Sequence, residues 1–135
     1  MASQTFQLGG GTFAAEDSPG GRYSAVFEDD GQTGYFYALD LESDDILDAV
    51  HVYNVPRVAD RKRQSSLSVI WSGDGLRCAL LINGYPRAAL DFAAQQGFSR
   101  TQGPTFPKPR QATWPNSDHT WSDDAIAWLD IRQSA

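Results

Sequence analysis

Three dipeptides, Asp30-Gly31, Asp74-Gly75 and Asn83-Gly84, each stand between runs in which apolar and polar residues alternate. Asp or Asn followed by Gly tolerates the positive φ that a tight hairpin turn demands, so each pair predicts a reversal of the chain. Ahead of the first, YSAVFE sets Tyr23, Ala25 and Phe27 against Ser24, Val26 and Glu28, and beyond it TGYFYALD places Tyr35, Tyr37 and Leu39 on one face. The pattern returns as Leu67, Val69 and Trp71, then Leu76, Cys78, Leu80 and Ile82, then Pro86, Ala88, Leu90 and Phe92. A period of two belongs to strands, so this chain is built from hairpins. The glycines of residues 72–92 are explained by two turns. A phosphate-binding loop would have to feed a helix, and a calcium loop would need a closing acidic ligand after Asp74.

The other segments fill in the outline. DILDAVHVYNV reads as a strand from about Leu47 to Asn54, apolar on both faces and therefore central, and Pro56 ends it. Pro86 lacks a backbone donor, which predicts an edge position or a bulge. Residues 1–21, with Gly9 to Gly11, Pro19, Gly20 and Gly21, predict a mobile or edge arm, and residues 22–135 one globular domain. Prolines 104, 107, 109 and 115 forbid a continuous element there. In HTWSDDAIAWLDIRQ, Ser122 is a candidate N-cap, Asp123 and Asp124 suit a first helical turn, and Ala125, Ile126, Trp128 and Leu129 form an apolar stripe. The expected fold is mainly β bordering on α+β: one antiparallel sheet of about six strands with a short C-terminal helix packed on it. VFEDDGQTGYFYALD and VIWSGDGLRCALLIN also echo one another, although alternation around Asp-Gly produces such likeness without duplication.

A chain of 135 residues can bury a core without covalent staples. Its lone cysteine, Cys78, excludes an internal disulfide and sits in the apolar run LRCALLI as a small hydrophobe. The amino terminus has neither a basic start nor a continuous apolar stretch, and no run is long enough for a membrane span, so the expected location is the cytoplasm. The formal charge is −6, and RVADRKR at 57–63 carries +3, leaving −9 on the rest of the chain. An acidic surface opposes binding to nucleic acid and favours a protein, metal or basic partner instead. The basic loop with Arg57, Arg61, Lys62 and Arg63 reads as a solvated connection, anion contact being the minority reading.

Candidate site residues derive from that charge. Glu28, Asp29 and Asp30 fall at one hairpin tip and Asp44, Asp45 and Asp48 toward the opposite end, either as solvated turns or as an acidic face for a basic partner. Trp114 and Trp121 flank a loop as core plugs or interface anchors. His51, within a strand, and His119, close to Asp118, Asp123 and Asp124, are the alternative acid-base or metal residues. No Ser-His-Asp order, HExxH pair or cofactor motif is present, although triads also assemble from distant residues. The leading expectation is a protein-binding module of inhibitory or immunity type. A small hydrolase or ligand-binding enzyme using His51 or His119 is the alternative, and self-association through a sheet edge is a third reading.

The segments TGYFYALD, ILDAVHVYNV and LLINGYPRAALDF followed by GFSR resemble a small bacterial family catalogued as a domain of unknown function, of DUF2251 type. The likeness spans about residues 23–100 and extends to the tryptophan-containing C-terminal segment. It implies a bacterial, cytoplasmic protein and carries no catalytic residue across.

Overall fold

Each of the three turn dipeptides closes a hairpin. In the computed structural model, which describes residues 3–55, 64–101, 114, 117 and 119–129, the first hairpin joins β3 (Tyr23–Asp29) to β4 (Thr33–Asp40). The second joins β6 (Gln64–Trp71) to β7 (Arg77–Ile82), and the third joins β7 to β8 (Tyr85–Asp91). Asn83 and Gly84 take φ of 55° and 77°, the positive pair of a two-residue hairpin loop. Asp74 closes its turn by accepting the Leu76 N–H at 3.0 Å and the Ser72 hydroxyl at 2.6 Å.

The strands divide between two sheets. One, sheet A, runs in the order β1 (Ser3–Gln7), β6, β7, β8, β9 (Gln96–Ser99) and β10 (His119–Thr120); the other, sheet B, runs β2 (Phe13–Asp17), β3, β4 and β5 (Asp45–Asn54). All pairings are antiparallel except β9 with β10. The expected single six-stranded sheet is therefore corrected to a pair. The reason lies in the core: Phe27, Phe36 and Val50 of sheet B and Leu67, Leu80 and Leu90 of sheet A are all buried in one cluster, which a lone sheet under a short helix could not enclose. The two sequence segments that echo one another lie in different sheets.

The expected C-terminal helix is also corrected. Ser122 does cap, accepting the Asp124 N–H at 3.3 Å, but the element it starts is a four-residue 3-10 helix, Asp123–Ile126, none of whose residues is fully buried. One turn has too few backbone bonds to repay nucleation, and its stripe packs only partly on β8. The arm at the amino terminus supplies β1 and β2 as edge strands. Pro86 sits at a bulge, where the β7–β8 register shifts between Leu80 and Leu81.

The strand expected to be central, β5, is the last strand of its sheet, and its covering comes from the other one. Ser99 donates its hydroxyl to the His51 carbonyl and Thr101 donates to that of Val52 at 2.6 Å, so side chains rather than a ladder join β5 to β9. Gly97 permits the approach: a Cβ there would stand 2.6 Å from Val50 Cγ2 and 2.7 Å from Asp48 Oδ2. The basic loop at 57–63 and the prolines at 104, 107, 109 and 115 lie outside the described residues, as does Asp118. Among the described residues no helix is long and apolar enough to cross a membrane.

Candidate functional site

Paired residues in adjacent strands share a face, so the register of sheet B gives its outer surface row by row. Phe13, Glu28, Tyr35 and His51 form one row; Ala15, Val26, Tyr37 and Ala49 the next; Asp17, Ser24, Leu39 and Ile46 the third. This surface turns away from sheet A, yet it is rich in aromatic and aliphatic groups. Phe13 is 66% exposed, while Tyr35, Tyr37, Leu39 and Ile46 are half-buried.

The aromatic groups order one another. Tyr35 lies 6.0 Å from Tyr37 and meets the His51 ring edge-on at 5.8 Å. Tyr37 donates its hydroxyl to Glu28 at 3.2 Å; burial first, and then the Glu28 charge, push its phenol far above the usual range. His51 Nε2 lies 3.2 Å from Asn54 Oδ1, and burial holds its imidazole below the ordinary histidine value. A neutral imidazole is thus built into the face at neutral pH.

Acidic turns stand at both ends of the face. At the β3–β4 turn, Asp30 is exposed and accepts the Gln32 and Thr33 N–H groups at 2.9 and 2.8 Å. At the β4–β5 turn, Arg22 pairs with Asp40 and Glu42, both at 3.2 Å. The exposed Asp44 and Asp45 have no ion pair among the described residues.

Two of the acidic candidates face inward instead. Asp29 is buried and accepts from Gly9 N–H at 2.6 Å, Gly31 N–H at 2.8 Å and the Tyr53 hydroxyl at 2.5 Å. It pins the amino-terminal turn to the β3–β4 turn. Asp48 is fully buried and accepts from Ser117 Oγ at 2.7 Å and from His119 Nε2 at 3.0 Å. Gly97 N–H donates to the same Ser117 oxygen at 2.7 Å, so one carboxylate anchors the chain's C-terminal part against the seam between β5 and β9. Neither aspartate lies on the exposed acidic surface.

The Asp48–His119 pair limits what chemistry is open to this site. Nε2 of His119 on the Asp48 carboxylate orients the ring as an acid orients a base. The Ser117 hydroxyl, however, bonds to Asp48 rather than to the imidazole, so the carboxylate stands between hydroxyl and base. A nucleophilic relay needs the base in the middle. Among the described residues no three His, Cys, Asp or Glu side chains converge as metal ligands.

Trp114 is buried against Phe92, with ring centroids 5.4 Å apart, and is a core plug. Trp121 is partly exposed. Cys78 is fully buried, which pushes its thiol well above the ordinary value and makes it unreactive. Sequence reasoning did not single out Phe13, Tyr35 and Tyr37 as a surface; the alternation in TGYFYALD puts Tyr35 and Tyr37 on the face opposite Phe36, but which of the two faces meets the core depends on the other sheet.

A family model described as "Uncharacterized protein conserved in bacteria (DUF2251)" matches residues 6–129. An uncharacterized protein of Haemophilus influenzae is 36% identical over 112 residues, which cover 82% of this chain and 68% of that protein. No solved structure matches the chain. With nearly its whole length matched, the chain belongs to the DUF2251 family of bacterial proteins.

Proposed function

We propose that this chain is a protein-binding module whose outer sheet-B face, with its acidic ends, engages a basic partner protein. Its role would be that of an inhibitory or immunity-type protein masking a toxin or a nucleic-acid-acting enzyme. The observation that carries the reading is Phe13, 66% exposed on an edge strand, in the row that runs through Glu28 to Tyr35. Large aromatic side chains set among excluded water are the usual anchors of interfaces. Asp30, Asp44 and Asp45 at the rim supply complementarity to a cationic surface and speed encounter with it.

A salt-graded pull-down with the tagged full chain, read by mass spectrometry, tests this. The expected result is a stoichiometric basic protein that salt releases. It should be lost with Phe13→Asp and with the double reversal Asp44→Lys, Asp45→Lys, while circular dichroism stays unchanged. A partner held equally by all variants, or no basic partner at any salt, refutes the proposal.

The Asp48–His119 pair favours a second reading, a small hydrolase or ligand-binding enzyme. Its weakness is the position of the Ser117 hydroxyl on the carboxylate. Turnover of an ester or phosphoester panel that disappears in His119→Gln would establish it in place of the first.

A further inference from the structure

On this acidic protein one patch of sheet A has the opposite sign. Arg87 on β8 and Arg100, directly after β9, bring their guanidinium carbons to 5.0 and 4.5 Å from the centroid of the Tyr85 ring. Arg100 also lies 4.0 Å from the ring centroid of Trp121. It is held firmly: Nε donates to the Pro86 carbonyl at 2.6 Å, and its backbone N–H reaches the Arg87 carbonyl at 3.2 Å. The rings and the Nε bond occupy the faces and inner edge of the guanidinium. Among the described residues what remains is its outer pair of amino groups, the edge that meets an oxyanion with two parallel bonds.

The described carboxylates nearest in sequence to these residues have other partners. Asp91 lies 3.8 Å from Arg77, and Asp123 accepts the Trp121 indole N–H at 2.9 Å. Among the described residues neither Arg87 nor Arg100 forms an ion pair. Two cations that share one 46% exposed tyrosine, neither with a counter-ion among the described residues, repel each other, and stacking has already stripped part of their hydration. A ligand carrying two negative charges on one compact group would relieve both costs.

We propose that Arg87 and Arg100, aligned by Tyr85 and Trp121, form a binding site for a phosphate monoester dianion. A carboxylate, with a single charge, matches only one of the two forks. An extended polyanion would meet the −9 carried by the chain outside residues 57–63. The phosphate could belong to a free small molecule or to a phosphorylated side chain, and the test separates these sources.

The experiment is a 15N NMR titration of the full chain with inorganic phosphate, AMP, O-phosphoserine and acetate, following the Trp121 indole and the arginine Nε–H signals. Saturable shifts are expected with the three phosphate ligands, with Kd on the order of 1 mM, and about tenfold weaker binding of acetate. Tightest binding of AMP assigns a free organic phosphate, tightest binding of O-phosphoserine a phosphorylated side chain, and equal affinities a site that reads the phosphate group alone. Arg87→Gln, at an exposed position, should weaken phosphate about tenfold with the rest of the spectrum unchanged. Arg100→Lys, which keeps the charge and loses the fork, should do the same. Non-saturating shifts, acetate binding as tightly as phosphate, or unaltered affinity in Arg87→Gln would overturn the assignment.

Discussion

Replacing Tyr53 by Phe deletes one oxygen from the interior and tests whether the Asp29 cage stabilises the fold. The Tyr53 hydroxyl donates to Asp29, which also accepts two backbone N–H groups, so the variant removes one of three charge-assisted bonds and leaves the carboxylate less well satisfied. Such bonds are worth about 1.5–3 kcal/mol, and Phe keeps the ring packed on Gly34 and Phe27, so packing adds little. At pH 7 the urea midpoint should therefore fall by an amount equivalent to about 2 kcal/mol with an unchanged slope. The pH dependence gives an internal control. Burial, and then the bond to Asp29, raise the Tyr53 phenol above its ordinary 10.0. The folded state thus keeps a proton that the unfolded chain releases, and this contribution is whole below pH 10 and lost as pH rises toward the folded value. One unit above 10.0, at pH 11, about 1.4 kcal/mol of it is gone. The gap between the wild type and Tyr53→Phe should narrow by that amount between pH 7 and pH 11, the comparison cancelling groups common to both. A gap under about 0.5 kcal/mol at pH 7, or one that does not narrow in alkali, refutes the reasoning.

Gly97→Ala should destabilise by about 1–3 kcal/mol in the same assay, because its Cβ overlaps Val50 and Asp48 where β5 and β9 meet; a neutral effect would mean the seam is looser than described. The depressed His51 value means that the unfolded chain takes up a proton near the ordinary 6.5 that the folded protein resists. Its contribution is present above 6.5 and lost as pH falls below it, so His51→Gln should flatten the stability profile between pH 6.5 and pH 5. An unchanged acid limb in that variant would contradict a buried, neutral His51.

The hairpins were legible because their signals are local. Asp30-Gly31, Asp74-Gly75 and Asn83-Gly84 fix reversals within a few residues, and strict alternation fixes which side chains share a face. The division into two sheets was not legible, since it depends on whether Phe27 and Phe36 pack against Leu67 and Leu80, a choice that no short window encodes. β9 has four residues and β10 two, too few for a period to register. The acidic residues show the same limit more sharply. Asp29 and Asp30 are neighbours of like composition, yet one is caged by Gly9, Gly31 and Tyr53 and the other is in water. Asp48 looks like another turn aspartate until His119, 71 residues away, arrives beside it.

That span has a kinetic consequence. Every hairpin closes over a few residues and can form in microseconds. The bonds that hold β5 to β9 and Asp48 to His119 close separations of 48 and 71 residues and gain nothing until both sheets exist. Docking across this seam is therefore the slow event in folding, and by the same logic the seam is where the native protein opens first. Its backbone amides, above all Gly97 N–H on the Ser117 hydroxyl, should exchange with solvent through openings that leave the β3–β4 and β7–β8 ladders intact.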